Sequence, residues 1–93
     1  MPQSTARFAT EAADRYLVQL TRHFAHRIPT AQQGRSGTCT FDMGTATLRA
    51  DDTGLDIRID SDAAEGLAQV RQTVESHLLR FAFREDPQPL HWS

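Results

Sequence analysis

Between Thr38 and Asp60 the chain alternates apolar and polar residues in three successive runs. Cys39, Phe41 and Met43 alternate with Thr38, Thr40 and Asp42. Ala46, Leu48 and Ala50 alternate with Thr45, Thr47 and Arg49, and Leu55, Ile57 and Ile59 alternate with Asp56, Arg58 and Asp60. A period of two places one set of side chains on each face of a strand, so each run predicts a strand with one dry and one wet side. The breaks at Met43-Gly44 and Asp51-Asp52-Thr53-Gly54 suit hairpin turns. This register sets Arg49 opposite Asp56 on the wet face and Leu48 opposite Ile57 on the dry one. The sheet is therefore expected to be antiparallel and covered on one face only.

Ser4 to Ala9 alternates in the same way and predicts a first strand, and Arg27 to Gln33 reads as extended. Two amphipathic segments supply the cover. Thr10 reads as an N-cap for a helix from about Glu11 to His26, with Ala13, Tyr16, Leu17, Leu20 and Phe24 at helical spacing. Ser61 reads as the N-cap of a second helix, about Asp62 to Phe83, with Leu67, Val70, Val74, Leu78 and Phe81 on its stripe and Glu65 supporting the first turn. Gly66 is expected to weaken that helix by up to ~1 kcal/mol relative to alanine. Pro87 and Pro89 end it, and Leu90-His91-Trp92 is expected to form a short final strand or a docked tail. The resulting fold class is α+β. Strand, helix, four strands and helix build a two-layer sandwich, with two antiparallel helices on one face of a curved antiparallel sheet. The order matches the repeat unit of TATA-box-binding-protein-like folds, which is an analogy of fold alone.

A chain of 93 residues holds one such domain, so residues 1–93 read as a single unit. The ten cations are all arginine, balanced by 12 acids to a net charge of −2. The missing lysine removes Schiff-base chemistry on the chain itself and a P-loop. The near-neutral balance argues against a nucleic-acid partner. No run approaches the ~18 apolar residues of a membrane span, and no leader is evident. A single cysteine, Cys39, fits a reducing compartment and predicts a cytoplasmic location. Its place in a strand makes it a buried hydrophobe rather than a nucleophile.

Two stretches carry a resemblance. Leu20-Thr21-Arg22-His23-Phe24-Ala25-His26-Arg27 closes the first helix, and His77-Leu78-Leu79-Arg80-Phe81-Ala82-Phe83-Arg84-Glu85 closes the second. With the Asp51-Asp52 turn and Trp92 they resemble the bacterial domain-of-unknown-function family 2218. That resemblance brings no catalytic residues. It implies a setting of siderophore-iron handling, with a siderophore-interacting flavin reductase as partner, because similar domains are appended to such proteins. It also brings an aldolase product name, for dihydroxyheptenedioate. An aldolase needs a Schiff-base lysine or a pocketed metal cluster, and a small two-layer sandwich has little room for such a cluster and a seven-carbon diacid.

The histidines define the candidate site. His23 and His26 lie about 60° apart on one flank of the first helix. His77, Arg80 and Arg84 share the corresponding flank of the second. If these flanks face one another, the five residues form a polar seam that suits a carboxylate or phosphate, since arginine makes bidentate anion contacts. His23, His26 and His77 are weaker candidates as metal ligands, because the neighbouring arginines oppose a cation. The alternative is capping and packing at helix ends. Phe24, Phe81 and Phe83 read as core and rim packing. The open sheet face, with Arg7, Thr40, Asp42, Thr47, Arg49, Asp56, Arg58 and Asp60, is solvated or forms a homodimer contact. These readings favour a non-catalytic binding or accessory module without a cofactor. The alternative is a small enzyme, or an anion- or metal-binding protein, working through the seam.

Overall fold

The computed structural model describes residues 2–93. Its elements run β1 (Gln3–Ala9), α1 (Ala13–Phe24), β2 (Thr30–Gln33), β3 (Ser36–Phe41), β4 (Gly44–Ala50), β5 (Gly54–Asp60) and α2 (Ala64–Phe81), then a 3-10 turn at Phe83–Glu85. The five strands form one antiparallel sheet in the order β1-β5-β4-β3-β2. Leu48 pairs with Ile57 and Arg49 with Asp56, as the alternation requires. The dry face carries Cys39, Ala46, Leu48, Leu55, Ile57 and Ile59, all at most 1% exposed. Leu17, Leu20 and Phe24 of α1 and Val70, Val74 and Leu78 of α2 complete this core. Both helices therefore lie on one face of the sheet, the predicted α+β sandwich.

Several boundaries differ from the expected ones. The helix of α1 begins at Ala13 because the Thr10 side chain closes a local turn. Its hydroxyl accepts the Ala12 N–H at 3.0 Å and donates to Glu85 at 3.0 Å. The helix closes at Phe24, and the backbone N–H groups of Arg27 and Ile28 turn back onto the Phe24 carbonyl. β3 starts at Ser36 rather than after Gly37. The β2–β3 hairpin turns on Gly34 and Arg35, with Gly34 at φ +59, where a residue without Cβ is at no disadvantage. Met43 lies in the β3–β4 turn and is exposed.

Ser61 is not the N-cap of α2, since Ala63 holds that position and the helix starts at Ala64; the Ser61 hydroxyl accepts the Ala63 N–H at 3.3 Å in the preceding turn while donating to the Met43 carbonyl at 2.6 Å. That contact corrects the reading of Gly66. A Cβ there would lie 2.5 Å from Ser61 Oγ and 2.6 Å from the Met43 carbonyl oxygen. The glycine lets α2 approach the β3–β4 turn, which outweighs its low helix propensity. α2 stops at Phe81, two residues before the expected end, and Phe83 is 67% exposed in the 3-10 turn rather than packed at the rim.

The last residues form a docked tail. Ser93 and Thr5 exchange backbone hydrogen bonds of 2.8 and 3.1 Å along the outer edge of β1. Further in, the tail is held by α2 through Glu75. The Tyr16 hydroxyl donates to Glu85, which ties the 3-10 turn to α1. Among the described residues no helix is long and apolar enough to cross a membrane.

Candidate functional site

The two helices run antiparallel. Phe81 borders the side of α1 that carries Val18, whereas Thr73 lies beside Arg27 and Ile28 past the end of α1. This places His23, in the last turn of α1, directly against His77 in α2. Their ring centroids are 4.7 Å apart and their planes tilt by 43°. His23 also meets Phe24 edge-on at 5.4 Å and Phe81 at 5.6 Å, and Phe24 meets His77 at 5.1 Å and Phe41 of β3 at 5.1 Å. Of the predicted seam, His23 and His77 thus meet within an aromatic cluster.

Beside it lies a hollow of about 480 Å³ lined by His23, Phe24, His26, Arg27, Ile28, Phe41, Thr73 and His77. Phe24, Ile28 and Phe41 supply apolar wall. The polar groups are three imidazoles, one guanidinium and one hydroxyl, and the lining contains no carboxylate. Its size is in the range of ~300–1,000 Å³ usual for small-molecule sites.

Two features fix the electrostatics. His77 Nδ1 lies 2.7 Å from the Thr73 carbonyl oxygen. A carbonyl only accepts, so Nδ1 carries the proton, and in the neutral ring Nε2 is an acceptor. Nε2 makes no hydrogen bond among the described residues, and no buried side-chain nitrogen or oxygen there lacks a partner, so Nε2 is open to solvent or ligand. His23 is exposed, yet the rings of Phe24, His77 and Phe81 pack beside it and displace part of its water. That loss of water is the first cause holding its pKa below the ordinary histidine value. The charges of His77, His26, Arg80 and Arg27 act in the same direction.

Of the five seam residues expected, His23, His26 and His77 line the hollow and Arg80 is close enough for its charge to act on His23. Arg84 is not in the lining. It lies in the 3-10 turn with its guanidinium 5.6 Å from the Phe83 ring centroid, because α2 ends before the turn that would have carried Arg84 along the seam. Arg27 and Thr73 escaped the sequence reading. Thr73 sits one helical turn before His77 on the same flank, a spacing that was legible. Arg27 lies in the turn beyond α1, where helical spacing says nothing. Among the described residues no group of three or more His, Cys, Asp or Glu is placed to hold a metal ion.

The open sheet face carries a second hollow of about 540 Å³, with Arg7, Arg49, Asp56, Arg58 and His91 in its lining. Arg7 and Arg58 are paired with carboxylates, whereas Arg49 in the same lining has no ion pair among the described residues. Arg7 bridges Asp51 at 2.9 Å and Asp56 at 2.8 Å, and Arg58 bridges Asp60 at 3.0 Å. The Arg7 guanidinium and the Thr53 backbone N–H hold the Asp51 carboxyl well below the usual carboxylate range. The sheet-face lining thus includes a carboxylate, Asp56, whereas the helix-end lining includes none.

The family model described as "Uncharacterized protein conserved in bacteria (DUF2218)" matches residues 5–93. The chain belongs to this family. Among solved structures, the NMR structure of PA4090 from Pseudomonas aeruginosa is similar to this DUF2218 chain, with 25% identity and a TM-score of 0.84 over 100% of this chain and 96% of that one. No curated protein matches it in sequence.

Proposed function

We propose that this DUF2218 domain is a non-catalytic module that binds a small organic anion in the helix-end hollow. The observation that carries the reading is the composition of that lining, an apolar wall of Phe24, Ile28 and Phe41 beside Arg27 and three imidazoles, with no carboxylate. A guanidinium with no ion pair among the described residues, in the lining of a partly apolar hollow, suits a carboxylate attached to an apolar body. The same set suits an anion better than a cation, since the Arg27 guanidinium opposes positive charge in the lining. A binding role without chemistry also accords with the siderophore-related setting implied by the family resemblance, where an appended domain contributes recognition. Such a role is compatible with a cytoplasmic location.

Isothermal calorimetry with benzoate, citrate and inorganic phosphate tests the reading. Saturable heat is expected with benzoate, at least tenfold weaker in Arg27→Gln, with the acid recovered unchanged. Absence of heat at millimolar acid from pH 6 to 7.5, or equal binding in Arg27→Gln, overturns it.

A further inference from the structure

Resting on that anion-binding reading, we propose that the hollow selects a hydroxy-carboxylic acid with a flat apolar body. Its carboxylate sits on Arg27, and its hydroxyl donates to Nε2 of His77. Arg27 offers donors only and has no ion pair among the described residues. His77 offers the opposite polarity. The Thr73 carbonyl, 2.7 Å from Nδ1, consumes the ring's donor and leaves Nε2 as an open acceptor. A plain carboxylate satisfies Arg27 but has nothing to give Nε2, and a plain alcohol satisfies Nε2 but leaves Arg27 unpaired. A ligand that carries both groups satisfies both.

The body between them faces Phe24 and Phe41, whose rings meet edge-on at 5.1 Å and 74°, with Ile28 beside them. Such walls favour a flat ring that can lie against one phenyl face and meet the edge of the other. The tautomer is set by a backbone carbonyl within the regular helix α2, so the acceptor is preorganised and does not depend on the ligand. A group that must be satisfied on binding discriminates against analogues that lack the matching hydroxyl, because it would lose water and gain no partner.

The test compares 3-hydroxybenzoate, 4-hydroxybenzoate and benzoate by calorimetry at pH 7.5, on the parent chain and on His77→Phe. At least one hydroxybenzoate is expected to bind about tenfold more tightly than benzoate, the scale of one hydrogen bond. His77→Phe should erase that advantage, so that the hydroxybenzoates and benzoate bind the variant with equal affinity. Should the variant fail to fold, the ¹⁵N shift of Nε2 in the parent decides. It should move clearly further with the favoured hydroxybenzoate than with benzoate. Equal affinity of the parent chain for all three acids, or an Nε2 signal that moves no further with a hydroxybenzoate than with benzoate, overturns the hydroxy-acid proposal and leaves the anion reading standing. If no acid binds at all, both fall.

Discussion

The carboxylate of Glu75 accepts the indole N–H of Trp92 at 2.9 Å and, on its other oxygen, the backbone N–H of Leu90 at 2.8 Å. One side chain of α2 thereby anchors the tail, and the Arg71 guanidinium lies over the Trp92 ring at 5.2 Å. Glu75→Ala should free the tail at a cost of about 1–3 kcal/mol, the usual range for stranding partly buried donors. Trp92 is the single tryptophan of the chain, so its emission reports the event directly. A red shift in the folded variant is expected, and an unchanged spectrum would mean that the tail is held by other contacts.

Gly66 separates two effects of opposite sign. Helix propensity alone favours alanine at this position by up to ~1 kcal/mol. The added Cβ would meet Ser61 Oγ at 2.5 Å and the Met43 carbonyl oxygen at 2.6 Å. Overpacking of that kind costs about 1–3 kcal/mol, so Gly66→Ala should be destabilising on balance. Urea denaturation decides the sign, and a stabilised variant would show that the β3–β4 turn yields freely.

Cys39 is fully buried in β3, and burial pushes its thiol up to about 11. Only the thiolate attacks an alkylating reagent, so iodoacetamide at pH 8 should modify the folded chain only through opening of the sheet. The labelling rate should therefore rise steeply with urea through the unfolding transition. Labelling in buffer at the rate of a free thiol would contradict this.

For His23 the sign of the pH effect follows from its lowered pKa. The unfolded chain, with a histidine near 6.5, binds the proton at a higher pH than the folded one does. Stability linked to His23 is therefore complete above about pH 6.5 and is lost as the pH falls below it. The groups responsible are the neighbouring rings, which displace water, and then the charges of His77, His26, Arg80 and Arg27, while Asp14, Arg15 and Arg22 lie beside it in the adjoining surface. His23→Gln should flatten the fall in melting temperature between pH 7 and 5. A bound organic anion should counter the same charges, so its binding should tighten over this interval.

The strands were legible because alternation alone decides which side of a strand is dry, and the pairing of Leu48 with Ile57 followed from that phase. The convergence of His23 with His77 was legible for a similar reason: matching flanks on antiparallel helices either meet or face apart. The wall of the hollow was not. Phe41 comes from β3 and Arg27 and Ile28 from the turn after α1, and their meeting depends on where α1 stops. Arg84 was misplaced because α2 stops at Phe81, a boundary that the run Phe81-Ala82-Phe83 obscures by continuing the apolar character past it. Gly66 was misjudged because a local propensity cannot report an approach to the β3–β4 turn, more than twenty residues back in the chain.

The most direct measurement of whether the helix-end hollow is a binding site is a benzoate titration followed by the aromatic ¹H–¹³C signals of the chain. The His23, His77 and Phe41 ring signals should move together and saturate at one common dissociation constant, while His91 on the sheet face stays in place. Still His23 and His77 signals at millimolar benzoate, or shifts centred on His91, would contradict the account.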